Sequence, residues 1–79
     1  MAKSVNAIEW GDLIQDVIEV QLKDGHEVVV DNFDWPQHGC LFCEIGKTHG
    51  FDLFIFTKSK QCTFIKRPFS LVYKERHSN

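Results

Sequence analysis

The feature that most constrains this chain is Asp24-Gly25, set between two β-branched runs, Val17-Ile18-Glu19-Val20-Gln21-Leu22-Lys23 and His26-Glu27-Val28-Val29-Val30-Asp31. Asp-Gly between such runs is the strongest short-range signal for a tight hairpin, because glycine takes φ > 0 at no steric cost. At the strand period of two, Ile18, Val20 and Leu22 share one face, while Glu19, Gln21 and Lys23 share the other. The pattern predicts strands over residues 17–23 and 26–31, with the other elements closing over the face of Ile18, Val20 and Leu22.

A chain of 79 residues suits one domain, residues 1–79, near the lower limit for independent stability, so self-association or a partner would help to hold it together. An apolar content of 43% and a charged content of 25% exclude a disordered chain. The net charge is only −2, but residues 1–56 carry ten acids against Lys3, Lys23 and Lys47, whereas residues 57–79 carry six Lys or Arg against Glu75. Blocks of opposite sign suit a contact between subunits or a basic face turned to an acidic partner, or they neutralise one another in the folded chain. The opening residues lack a charged-then-apolar leader, and no apolar run approaches the ~18 residues that span a bilayer. Three cysteines, an odd count, then suggest reduced thiols and a cytoplasmic location.

Asn6-Ala7-Ile8-Glu9 has the form of a capping box, and Trp10, Leu13, Ile14 and Val17 follow at helical spacing. One short helix over residues 7–15 is expected. Pro36, Gly39 and the Asx residues around them make residues 32–39 a loop. Strands are expected over residues 40–45, 51–57, 62–67 and 69–73, separated by turns. A helix followed by short strands at this spacing predicts a mainly β fold, a small antiparallel barrel of five to six strands with one N-terminal α-helix. The apolar run Phe51 to Phe56 would leave an edge that a partner chain could cover.

Two stretches carry a family resemblance. Leu22-Lys23-Asp24-Gly25 with Phe33-Asp34 resembles the first Sm motif, and Ile65-Lys66-Arg67-Pro68-Phe69-Ser70-Leu71-Val72 resembles the second, in the form found in the Hfq RNA chaperones. The chain is also similar to the Rof-type inhibitors of the Rho termination factor, which share the helix and hairpin without the RNA-binding ring. The resemblance implies an Sm-like or SH3-like barrel. It also implies that Lys66 and Arg67 take the place of the basic pair that faces the pore of an Sm ring, with Trp35 and His38 in the loop where a base is stacked.

Three constellations could carry function. Trp35, His38, Lys66 and Arg67 combine aromatic faces with cations, the recipe for gripping single-stranded RNA. Trp10, Trp35, Phe54, Phe56 and Tyr73 are more aromatics than so small a core readily hides, and exposed aromatics anchor protein interfaces. Cys40, Cys43, His49 and Cys62 match a tetrahedral zinc site in number and type, against the plainer reading of buried cysteines acting as small apolar residues. A Gly-rich phosphate loop, a nucleophile elbow and a His-Glu-x-x-His pair are all missing, so no enzyme and no cofactor is expected. The sequence therefore points to a non-catalytic binding or regulatory module with a protein partner, or one that self-associates, possible partners including a nucleic-acid-processing protein. Single-stranded RNA binding is the first alternative and a small structural zinc domain the second.

Overall fold

The computed structural model describes residues 2–56 and 58–66. Strand β1 (Lys3–Asn6) leads into a one-turn helix α1 (Ala7–Trp10), a 3₁₀ turn (Gly11–Leu13) and helix α2 (Ile14–Lys23). Strand β2 (Val28–Asp31) follows, then helix α3 (Trp35–His49) and the strands β3 (Phe51–Phe56) and β4 (Gln61–Lys66). The four strands form one sheet in the order β1-β2-β4-β3. β1 is parallel to β2, and β4 is antiparallel to both β2 and β3. Strands β1, β2 and β3 therefore point the same way. The expected closed barrel is corrected by this arrangement: the fold is a small mixed α/β domain whose sheet stays open, with helices as the connections between parallel strands.

The largest correction lies at the organising stretch. The strand expected over residues 17–23 is helix α2, and no hairpin forms at Asp24-Gly25. Ile14, Ile18 and Leu22 recur every fourth residue and are all buried, while Val20 is 56% exposed. Magnitude explains the outcome. Helix propensities separate valine and isoleucine from good helix formers by only a few tenths of a kcal/mol each. Burying three large aliphatic side chains is worth ~1.5–3 kcal/mol apiece. Gly25 still has a backbone role, at φ 89°. Its N–H donates to the Leu22 carbonyl at 2.9 Å, and the N–H of His26 donates to that of Gln21 at 3.0 Å. These two bonds are the Schellman closure of a helix C-terminus, a turn that needs the same left-handed glycine a hairpin would.

Helix α3 is the second correction. Residues 32–39 and 40–45, expected as loop and strand, contribute most of a fifteen-residue helix. Pro36 sits in its first turn, where a missing N–H costs nothing. Gly39, Phe42, Ile45 and Gly46 form the buried side. A Cβ at Gly46 would lie 3.0 Å from the Phe51 carbonyl oxygen and 3.5 Å from the Phe64 ring, so the glycine lets α3 approach the sheet. The expected helix over residues 7–15 starts where predicted: Asn6 Oδ1 accepts from the Ile8 N–H at 2.9 Å. It breaks at Gly11 and continues as α2 well beyond residue 15.

Strands β2, β3 and β4 fall within or next to the stretches expected to be extended, whereas β1 has no forerunner in the sequence reading. The strand expected over residues 69–73 lies outside the described residues. Both long helices pack on one face of the sheet. Ile14, Ile18 and Leu22 from α2 meet Phe42 and Ile45 from α3 over Val5, Val28, Val30, Phe51, Cys62 and Phe64. The Phe42 and Phe64 rings, 5.9 Å apart, tie α3 to the central strands. The side chains of Glu19 and His49 join α2 to α3, with 3.4 Å between Oε1 and Nε2. No described helix is long and apolar enough to cross a membrane.

Candidate functional site at the carboxyl end of the sheet

Because β1, β2 and β3 run in parallel, their last residues come together at one end of the molecule. The register sets Asn6 beside Asp31, Asp31 beside Gln61, and Gln61 beside Phe56. Side chains hold this row. Gln61 Nε2 donates to Asp31 Oδ1 at 2.7 Å, and Asn32 Nδ2 donates to Asn6 Oδ1 at 3.1 Å. Asn32 stands at φ 59°, a left-handed position that a short Asx side chain tolerates better than most. Both crossovers run in the same direction, so no switch point of the strand order marks this end, and the surface relief has to identify a site.

Two adjoining clefts open at this end, each about 450 Å³ and within the size range of small-ligand and side-chain pockets. Ile8, Asn32 and Asp34 border both. The first cleft continues over Asp12, Gln15, Gln37, His38 and Leu41. The second runs over Phe33, Trp35, Pro36, Ile55, Phe56 and Lys60. Large apolar side chains rim them in the open: Ile8 is 75% exposed, Trp35 50% and Phe56 46%.

The local chain explains each wall. Asp34 occupies the N-cap position of α3, yet its side chain makes no capping bond. Its backbone carbonyl instead accepts from the N–H groups of Gln37 (3.2 Å) and His38 (2.7 Å), leaving the carboxylate to the clefts. The His38 ring stacks on Phe42 at 5.1 Å, and its Nδ1 is buried without a hydrogen-bond partner among the described residues. The Trp35 indole covers Gly39: a Cβ there would fall 2.1 Å from Trp35 Cε3. Gly39 thus seats the ring at the cleft mouth. Phe33, buried at the base, donates its N–H to the Lys60 carbonyl at 2.7 Å and closes the loop between β2 and α3 onto the start of β4.

The structure divides the residues singled out in the sequence. Trp35 and Phe56 line one cleft, His38 lines its neighbour, and Phe54 touches Phe56 with ring centroids 4.7 Å apart. Lys66 lies at the opposite end of the sheet, paired in register with Phe51 and with its Nζ 5.9 Å from the Phe51 ring centre. Arg67 lies outside the described residues. The barrel arrangement that would set Lys66 beside Trp35 is therefore corrected; among the described residues, Lys60 is the cation on that cleft. Ile8, Asp12, Asn32, Asp34 and Lys60 were not foreseen. Only the Asx residues carried a local signal, as turn formers, and the rest are assembled by the crossovers.

The four residues of the zinc alternative do not come together at one point. Cys40 is exposed on α3, Cys43 is half-buried, Cys62 is buried in β4, and His49 pairs with Glu19. Among the described residues no three His, Cys, Asp or Glu side chains gather in a way that could hold a metal ion. Burial pushes the Cys62 thiol up to about 12, and nearby Cys43 adds to the rise against a lowering hydrogen bond with the Val30 backbone. Such a thiol packs as an apolar group and is inert at neutral pH.

No protein-family model matches this sequence, and no curated protein or solved structure is significantly similar to it.

Proposed function

We propose that this chain is a non-catalytic binding module that takes an apolar segment of a partner protein into the paired clefts at the carboxyl end of its sheet. One observation carries the reading: Ile8, Trp35 and Phe56, from three different elements, are exposed around adjoining cavities of side-chain size. Aromatic and aliphatic anchors entering such pockets account for most of the energy of a protein interface. Asn32, which borders both clefts, is held by its bond to Asn6, and the neighbouring Asp31 and Gln61 side chains are bonded to each other. Such preorganisation spares the ordering cost of association.

A second reading rests on Lys60, which shares the cleft of Trp35 and Phe56. Two aromatic faces and a cation are a minimal grip for single-stranded RNA. Asp34 borders the same cleft and Asp12 the next, so among the described residues phosphate would meet one positive charge against two negative ones. Neutralising one phosphate at Lys60 would give a salt slope of about −0.7.

Selection of peptides from a random displayed library on the immobilised chain tests the proposal. The expected result is an enriched family with a large apolar anchor whose affinity falls about tenfold or more in Trp35→Ala and in Ile8→Ser. Enriched peptides that bind both variants as well as the parent chain would overturn it, as would a selection that yields no common sequence. Tighter binding of a short single-stranded RNA than of any selected peptide would transfer the site to the second reading.

A further inference from the structure

A different surface lies on the outward side of α1 and α2. Ile14, Ile18 and Leu22 turn inward, so Leu13, the half-buried Val17 and Val20 form a second apolar stripe, and Trp10 from α1 joins Val17 and Val20 at one groove. Trp10, Leu13 and Val20 are exposed, and a shallow groove of about 320 Å³ runs over Trp10, Val17 and Val20 between Asp16 and Gln21. Apolar residues at this spacing on a solvent-facing helix are unusual without a use, because water solvates polar side chains there at lower cost.

The charges around the stripe identify what it would accept. Asp16 borders the groove, and Glu9, Asp12 and Asp24 are exposed elsewhere along the same helical segment and its turns. None forms an ion pair with another described residue; the described pairs are Glu44–Lys47 and Glu19–His49. Lys23 is the one cation in α1 and α2. We infer that this face docks a basic amphipathic helix of a partner protein, its apolar side on Trp10, Leu13, Val17 and Val20 and its Lys or Arg residues against these carboxylates. Helix-in-groove recognition reads i, i+3 and i+7 anchors, and unlike charges on the rim raise the association rate and exclude acidic competitors. The groove of Trp10, Val17 and Val20 shares no lining residue with the clefts, and the inference stands or falls without them.

The test uses the full chain carrying Trp35→Phe, which leaves Trp10 as the sole tryptophan. The probe is an amphipathic Leu/Lys peptide of about 18 residues, about 27 Å long as a helix. A Leu/Glu peptide of the same pattern is the control. Binding of the Leu/Lys peptide is expected to shift Trp10 emission to the blue, with about tenfold weaker binding in Val20→Ser and a measurable loss in Asp16→Asn. Each substitution is at an exposed position, so circular dichroism should match that of the parent. Three results would overturn the inference: no emission shift, equal binding of the Leu/Glu peptide, or affinity untouched by both variants. A dimer in sedimentation equilibrium that dissociates on Val20→Ser would overturn it too, because a second copy of the chain would then occupy the face.

Discussion

Single residues decide how the clefts are shaped, and two of them make sharp tests. Gly39 supports the Trp35 ring, and the ring, being half-exposed, can swing away where a backbone atom could not. Gly39→Ala also gains up to ~1 kcal/mol of helix propensity. The expected outcome is a melting temperature within a few degrees of the parent, with affinity for a selected peptide reduced about tenfold. Thermal melts and titration calorimetry read both quantities. Cys62 gives a pH test. Its folded thiol ionises at about 12 against 9.0 for an ordinary thiol, so between those values the unfolded chain loses a proton that the folded chain keeps. The stability this proton confers is complete below pH 9 and is lost as pH rises toward 12. Denaturant midpoints of the parent chain should therefore fall faster above pH 9 than those of Cys62→Val, and the two curves should run parallel below it. At this scale the sequence was partly legible. Trp35 and Phe56 declared themselves as side chains hard to hide in a small core, whereas His38, read as a loop residue, lies in α3 with its ring on Phe42. Ile8 and Lys60 could not, because nothing in their neighbours in the chain says that strand crossovers bring them to one end.

Elements were read less well than residues, and for one physical cause. In the stretch from residue 14 to 23 the β-branched residues fit a strand by propensity, and Ile18, Val20 and Leu22 fit it by alternation. Ile14, Ile18 and Leu22 fit a helix equally well. What decides is whether a sheet elsewhere offers these three side chains a place to pack, which is a tertiary fact. Helix α3 was hidden by its glycines. Gly39 and Gly46 weaken a helix taken alone, but they are the points at which the Trp35 ring and the Phe51 carbonyl approach most closely to where a Cβ would stand. Strand β1 has one buried apolar residue, Val5, and forms through its parallel pairing with β2. Strands β2, β3 and β4 were legible because their apolar runs are short, β-rich and bounded by turns. The competing readings of α2 part on one pair of variants. A strand would bury residues 18 and 20 together, so Ile18→Glu and Val20→Glu would be equally damaging. In the helix, Ile18→Glu is expected to unfold the chain, and Val20→Glu to change stability by less than ~1 kcal/mol. Far-UV circular dichroism and urea midpoints distinguish the two.

At the scale of the whole molecule, the two crossovers pointing one way account for both surfaces. They place α2 and α3 together on one face of the sheet and gather the carboxyl ends of β1, β2 and β3 at one edge of it. They also turn the acidic side of α1 and α2 outward, away from that core. A fold this small has a thin stability margin, so a bound partner would stabilise it by mass action, by about 2.7 kcal/mol when present at a hundredfold excess over Kd. The most direct measurement is an amide and indole NMR titration of the ¹⁵N-labelled chain with a selected peptide. Shift changes should concentrate on Ile8, Asn32, Trp35, Phe56 and Lys60, with the Trp35 indole moving most. Changes centred on the opposite end of the sheet, around Gly25, Phe51 and Lys66, would contradict a partner site at the carboxyl ends of the strands.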